Sequence, residues 1–243
     1  MSAIYWKEIR SFFASAVGYL VIGLFLVING LFLWVFNGEY NLLDYGYADL
    51  TPFFQLVPYI FIFLIPAITM RSFSEEIRQG TLELLLTRPV SDLKLVLGKV
   101  FAAFTLIAIA LLPTKLYIWA LNSLADASGS VDMGVVIGSY LGLLFLALAY
   151  TGIGVFASIL SPNQIVSFLI AVAGCFLFYF GLEALAELLP NSFISDGLYY
   201  LSLNNHFTSI SRGVIDTADL VYFFSFAAFF IFLTKLRLQL KRA

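Results

Sequence analysis

Six apolar stretches, each close to the length needed to cross a lipid bilayer, constrain this chain more than any other feature. A helix needs about 20 apolar residues to span the hydrocarbon layer, where every backbone polar group must be satisfied within the helix. The chain is 61% hydrophobic and only 12% charged, more apolar than a soluble domain of this size. The sequence predicts an all-α integral membrane protein in which residues 1–243 form one transmembrane domain. The predicted spans are 17–36, 53–70, 100–121, 135–160, 165–182 and 220–235.

The basic residues indicate how these spans are oriented. Membrane proteins keep lysine and arginine preferentially in their cytoplasmic segments. If the first residues are cytoplasmic and the chain then alternates, eleven of the 13 basic residues and five of the 15 acidic residues lie inside. The inner side then carries a net charge of +6 and the outer side −8. We therefore expect both termini in the cytoplasm.

The first residues combine apolar and basic side chains at helical spacing. Trp6, Ile9 and Phe13 share one face, whereas Lys7 and Arg10 lie outside it. This pattern predicts an amphipathic helix on the surface of the inner leaflet. A cytoplasmic extension of the first span is an equally good interpretation.

Two features inside the spans have both a structural and a functional interpretation. Gly134, Gly138 and Gly142 recur every four residues, which favours close helix packing either within the chain or between subunits. Lys115 interrupts the third span after Pro113. Its side chain can reach the membrane surface, or it can make a polar contact in a translocation path.

Several classes of function are disfavoured by residues that the sequence lacks. The spans have no central Asp or Glu of the kind that ion-coupled carriers use. His206 is the only histidine, so paired-histidine zinc sites are impossible and no metal site is predicted. A nucleophile turn of the form G-x-S-x-G is also missing. In the sequence around Gly98 and Lys99, Val100 replaces the Ser or Thr of a phosphate-binding loop. We predict no catalytic residues and no nucleotide site in this chain.

The most polar loop, residues 71–99, has signals for two short helices. Ser72 and Glu75 fit a capping box at the start of the first. Gly80 can end it in the left-handed conformation. Thr81 can then cap a second helix, with Glu83 favourably placed in the first turn.

The second helix of this loop is strongly apolar. Leu82 and Leu84–Leu86 make up most of it, and Pro89 is expected to stop it. One interpretation is an interfacial loop whose leucines enter the lipid. The other is a docking helix that inserts into a groove on a cytoplasmic partner.

Two strings of residues carry a resemblance to a known family. Glu76, Gly80-Thr81-Leu82-Glu83, Leu85, Pro89, Ser91 and Gly98-Lys99 resemble the coupling-helix signature of type 2 ABC-transporter permeases. Asn205-His206-Phe207 and Arg212 to Asp216 are similar to the stretch before the last span of that family. Six spans with both ends inside agree with it. Within the family, the chain is most similar to permease subunits of gliding-motility-associated ABC transporters.

The resemblance implies a permease without its own nucleotide site, coupled to a separate cytoplasmic ATPase subunit that binds ATP and magnesium. A second permease chain, identical or related, would complete the path through the bacterial inner membrane. Segment 71–94 would be the coupling segment, in which the leucines enter a groove of the ATPase and the charged residues contact its rim. The implied interface residues are Glu75, Glu76, Arg78, Gly80, Thr81, Leu82, Glu83, Leu84 and Leu85.

The resemblance also concerns the outer side of the fifth span. Glu183 and Glu187 lie one turn apart before Pro190, where the family has short re-entrant helices. They would form an outer gate, although an exposed amphipathic helix is an equally good interpretation. No nucleic-acid partner is expected.

Three other functions are weighed against the permease. A membrane scaffold for motility machinery is the main alternative, and it would bind a partner without altering ATP turnover. An intramembrane enzyme and an ion-coupled carrier are disfavoured by the missing groups described above.

Overall fold

A computed structural model of the chain describes residues 1–47, 49–87, 90–124, 131–189, 193–214 and 216–242. In these residues all regular secondary structure is helical, and six helices are long and apolar enough to cross a membrane. The predicted fold class is therefore confirmed. Pro89 and Pro190, and Arg88 and Ile215 within segments that the sequence analysis considers, lie outside the described residues.

The helices follow one another with short connections. The first half of the chain contains α1 (Ser2–Ala14), α2 (Ala16–Trp34), α3 (Thr51–Thr69), α4 (Arg71–Arg78), α5 (Thr81–Leu86), α6 (Asp92–Leu111) and α7 (Leu116–Leu124). The second half contains α8 (Met133–Leu160), α9 (Gln164–Phe176), α10 (Leu182–Glu187), α11 (Phe193–Tyr200), α12 (Leu203–Ser211) and α13 (Thr217–Arg242). A 3₁₀ turn at Pro113–Lys115 joins α6 to α7, and a π turn at Leu177–Gly181 joins α9 to α10.

The longest helix, α8, is the centre of the bundle. It packs against α3, α6, α9, α12 and α13. The large apolar core includes the fully buried Phe25, Phe61, Tyr150 and Phe223. The outer surfaces of α2 and α9 remain largely uncovered by the chain itself, as expected for helices that face lipid or another membrane protein.

Both terminal helices reach the same end of the bundle. A second apolar cluster joins Ile4 of α1, Phe73 of α4, Leu82 of α5 and Leu238 of α13. We call this the basic end, because Lys7, Arg78 and Lys99 also lie there. The structure thus places both termini and the α4–α5 pair together, as an even number of spans requires.

The N-terminal helix α1 is separate from α2. Ser15 between them is extended, with φ −99° and ψ 161°, which breaks the path of helical hydrogen bonds. The helix packs along α6, and Trp6 remains exposed. An independent amphipathic helix therefore describes this segment better than an extension of the first span.

The glycine repeat on α8 is used for packing within the chain. A Cβ atom at Gly138 would lie 3.0 Å from the carbonyl oxygen of Ile210 and 3.1 Å from Cα of Gly213. At Gly142 it would lie 3.2 Å from the ring of Phe207. These glycines let α12 approach α8 closely, whereas the nearest neighbour of Gly134 is Asp132 of its own turn.

A buried polar pair joins α12 to α13 at the opposite end. Nδ1 of His206 lies 2.6 Å from Oδ1 of Asp219, and Nε2 lies 2.9 Å from the carbonyl oxygen of Tyr200. The imidazole stacks on the ring of Tyr222 at 3.8 Å. Since a carbonyl can only accept, Nε2 donates to the carbonyl oxygen of Tyr200.

Candidate functional site

The α4–α5 pair forms a helix–turn–helix at the basic end. Gly80 has φ +67° and reverses the chain between the two helices, which a residue with a Cβ would do only with strain. Glu83 lies in the first turn of α5, where a negative charge is favourable. These two features agree with the sequence analysis.

Two predicted helix caps are wrong. The chain passes from α3 into α4 through Met70, which is itself helical (φ −54°, ψ −28°). Ser72 is therefore buried in a nearly continuous helix rather than capping its start. The residue before α5 is Gly80, so Thr81 is the first helical residue, and its hydroxyl donates to the carbonyl oxygen of Glu76 at 3.4 Å.

A buried lysine fixes this helix pair to the membrane bundle. The side chain of Lys99, on α6, is 2% exposed. Its ammonium group lies 3.0 Å from Oε1 of Glu8 and 2.9 Å from Oε1 of Glu76. It also donates to the carbonyl oxygen of Ser72 and lies 4.9 Å from the centre of the Phe73 ring. Three donated hydrogen bonds and two carboxylates compensate for the removal of this charge from water.

The network extends to the surface through a second cation. Lys7 lies on α1, as does Glu8. Its Nζ atom is 3.2 Å from Oε1 of Glu76, and its side chain is 61% exposed. Glu76 and Glu8 are 13% and 16% exposed. Three separate elements, α1, α4 and α6, therefore meet at one group of four charges.

The structure separates the nine candidate interface residues into two sets. Arg78, Gly80, Thr81, Glu83 and Leu84 are exposed, and Leu84 is 68% exposed although it is a large apolar residue. Glu75 is half-buried and accepts a hydrogen bond from Gln79 at 3.2 Å. These residues form an accessible surface, which we call the α4–α5 surface.

The other three candidates contact their own chain. Leu82 is 5% exposed and packs against Phe73 and Leu238. Leu85 is partly buried at the same cluster, and Glu76 is held by Lys99. Their interface role stays a prediction, but in this chain they support the position of the α4–α5 surface.

A cavity of about 410 Å³ lies beside this network, between α1 and α4. Its lining includes three cations, Lys7, Arg71 and Lys99, and three carboxylates, Glu8, Glu75 and Glu76. Opposite charges are balanced around it, so the cavity favours neither anions nor cations.

The two candidate gate residues lie together at the opposite end. Glu183 accepts hydrogen bonds from Asn204 at 2.7 Å and from Ser202 at 2.9 Å, which ties α10 to the start of α12. Glu187 is exposed. Both line a cavity of about 720 Å³ with Tyr199. Their gate role stays a prediction.

The central role of Lys99 and Glu8 was not predicted from the sequence. Glu8 entered the prediction only as a charge on the inner side, and Lys99 as a basic residue and as part of the family signature. A signal was present, since Lys99 lies inside the apolar sequence of α6 and follows its start by two turns. Its partners, however, are 23 and 91 residues away.

Six apolar helices and partly covered outer faces together define a multi-pass membrane protein. Comparison with family models is consistent with this class. Residues 2–236 match the model described as ABC-2 family transporter protein, and the chain belongs to that family. It is therefore a membrane permease of an ABC transporter, a class that associates with a cytoplasmic ABC ATPase. A search of curated proteins gives no match.

Proposed function

We propose that this chain couples ATP hydrolysis by a separate ATPase subunit to the movement of a substrate across the bacterial inner membrane, through the α4–α5 surface. The observation that supports the proposal most strongly is Leu84. A large aliphatic side chain that is 68% exposed on a short, rigidly anchored helix suits insertion into a partner's groove. The charged Arg78 and Glu83 beside it suit the polar rim of such a contact.

The anchoring of this surface supports a mechanical role. Force applied to α5 passes through the cluster of Leu82 to α6, α8 and α13. Force on α4 passes through Glu76 and Lys99 to α6 and α1. ATP binding can shift the membrane bundle only by the difference in docking free energy between its states. A surface with two independent attachments can transmit that difference without unfolding locally.

In this proposal the basic end faces the cytoplasm, and a second permease copy or a related subunit packs against the exposed apolar helices. The outer surfaces of α2 and α9 are available for that contact. We further propose that transport is export and that the process is gliding motility, both supported by the family resemblance alone. Glu183 and Glu187 would then contribute to an outer gate.

Photo-cross-linking in native membranes tests the coupling role. A photoreactive amino acid replaces Leu84 in one protein and Leu188, which is 76% exposed at the opposite end, in another. We expect position 84 to capture a polypeptide that contains the phosphate-binding motif G-x-x-x-x-G-K-[ST], identified by mass spectrometry. Position 188 serves as the control and should not capture it.

Substitutions provide the second half of the test. Leu84→Asp should abolish co-purification of the ATPase and its stimulated turnover, while Leu188→Asp should leave both unchanged. Capture of the ATPase at position 188 but not at 84 would contradict the proposed orientation and the proposed interface. Binding without any change in ATP turnover would instead favour a membrane scaffold.

A further inference from the structure

A groove in the membrane-facing surface has the shape and lining of a site for one lipid chain. It lies between the end of α6 and the first half of α8, with a volume of about 420 Å³. Aliphatic side chains line it, including Leu112, Ile137 and Leu144. The Tyr140 hydroxyl in its wall already bonds Oγ1 of Thr114 at 2.9 Å. The interior therefore offers hydrocarbon contacts and leaves this polar group satisfied.

The length of the groove matches one leaflet. On α8 the lining runs from Met133 to Leu144, which is about 16 Å at 1.5 Å per residue. Half of a hydrocarbon core about 30 Å thick is about 15 Å. A single acyl chain of one leaflet therefore fills the groove along its length.

One end of the groove has residues that are typical of the headgroup level of a membrane. Trp119 is 73% exposed and lies on α7, which begins directly after Lys115. Exposed tryptophan in a membrane protein is typical of the interface between hydrocarbon and water. The ammonium group of Lys115, in the groove lining, can extend to the same level.

The charges favour an acidic headgroup. Lys115 is the only charged residue in the lining that the structure describes. Asp132, just before the groove, accepts hydrogen bonds from the backbone of Gly134 at 2.8 Å and Val135 at 3.3 Å. A lipid phosphate finds a cation here, whereas the ammonium group of a zwitterionic headgroup finds no carboxylate in the described lining.

We propose that this groove binds one anionic phospholipid, with an acyl chain between α6 and α8 and the headgroup phosphate paired with Lys115. The lipid would belong to the leaflet at the end opposite the α4–α5 surface. It would fill the cavity between the end of α6 and the first half of α8, and it would hold their relative position during transport.

Native mass spectrometry of the full chain tests this site. The protein is released from vesicles that contain equal amounts of phosphatidylglycerol and phosphatidylethanolamine, and the retained lipids are counted. We expect one phosphatidylglycerol to be retained preferentially. Lys115→Gln should reduce that preference about fivefold, the contribution of one lysine near an acidic membrane surface. Lys115→Arg should keep it.

Two further variants separate this site from general charge effects. Lys94→Gln removes an exposed cation from the opposite end of the same membrane span, and it should leave the retained lipid unchanged. Ala108→Phe fills the groove without changing charge, and it should release the lipid. Equal losses with Lys94→Gln and Lys115→Gln would overturn the proposal, as would full retention by Ala108→Phe.

Discussion

Replacing Lys99 with methionine should destabilise the protein more than any other single change to a charged residue at the basic end. Methionine has a similar length but no charge. The substitution leaves Glu8 and Glu76 side by side, 16% and 13% exposed, after the cation between them is removed. It also removes the hydrogen bond to the carbonyl oxygen of Ser72.

The loss in the free energy of unfolding can be estimated from this arrangement. Breaking a buried ion pair by removing one partner costs about 3–5 kcal/mol. We expect a value near the lower end of this range, because the carboxylates retain some contact with water and Lys7 remains 3.2 Å from Glu76. We expect a loss of about 3 kcal/mol. For a chain of this length that corresponds to a decrease of about 6–12 °C in the unfolding temperature.

Thermal unfolding in nanodiscs measures this decrease. Lys94→Met, at an exposed position on the same helix, is the matched control and should change the unfolding temperature by less than about 2 °C. Adding Glu8→Gln and Glu76→Gln to Lys99→Met removes the unpaired charges and should restore at least half of the loss. An unfolding temperature that is unchanged by Lys99→Met, or not restored by the two glutamines, would refute the reasoning.

Two other predictions concern the same thermal measurement. His206→Phe should lower the free energy of unfolding by about 3 kcal/mol, because it leaves the carboxylate of Asp219 buried without its partner. The double variant His206→Phe with Asp219→Leu should lose less stability than the single change. A larger loss in the double variant would show that the two residues are not coupled. Gly80→Ala should cost about 1 kcal/mol, because φ is +67° there, while Gly30→Ala in α2, which also has open space around it, should be neutral or stabilising. Equal effects at the two glycines would contradict the strain argument.

The fold class could be predicted because hydropathy acts locally. Each span can be recognised from about 20 consecutive residues, and the coupling-helix signature lies in one continuous loop. Gly80 was predictable for the same reason, since a glycine between two helical patterns usually marks a left-handed turn. These features depend on short stretches of chain, and no knowledge of the packing was needed.

The internal contacts of the site could not be predicted from such patterns. Leu82 and Leu84 are two residues apart in a helix of six, and either could have faced the protein. Which one is buried depends on where α6, α8 and α13 lie. The capping prediction at Ser72 was wrong because α3 continues into α4, and tertiary packing extended a helix that the local signals had ended.

The ammonium group of Lys99 pairs with two glutamates from distant parts of the chain, and this limits how the three positions can vary among homologues. A homologue that loses Lys99 would retain two adjacent, largely buried negative charges with only the exposed Lys7 beside them. One that loses both Glu8 and Glu76 would retain a buried cation without a carboxylate partner. Either of these partial changes should destabilise the folded protein. Positions 8, 76 and 99 should consequently be inherited as a set, exchanged together for neutral side chains or kept together across lineages.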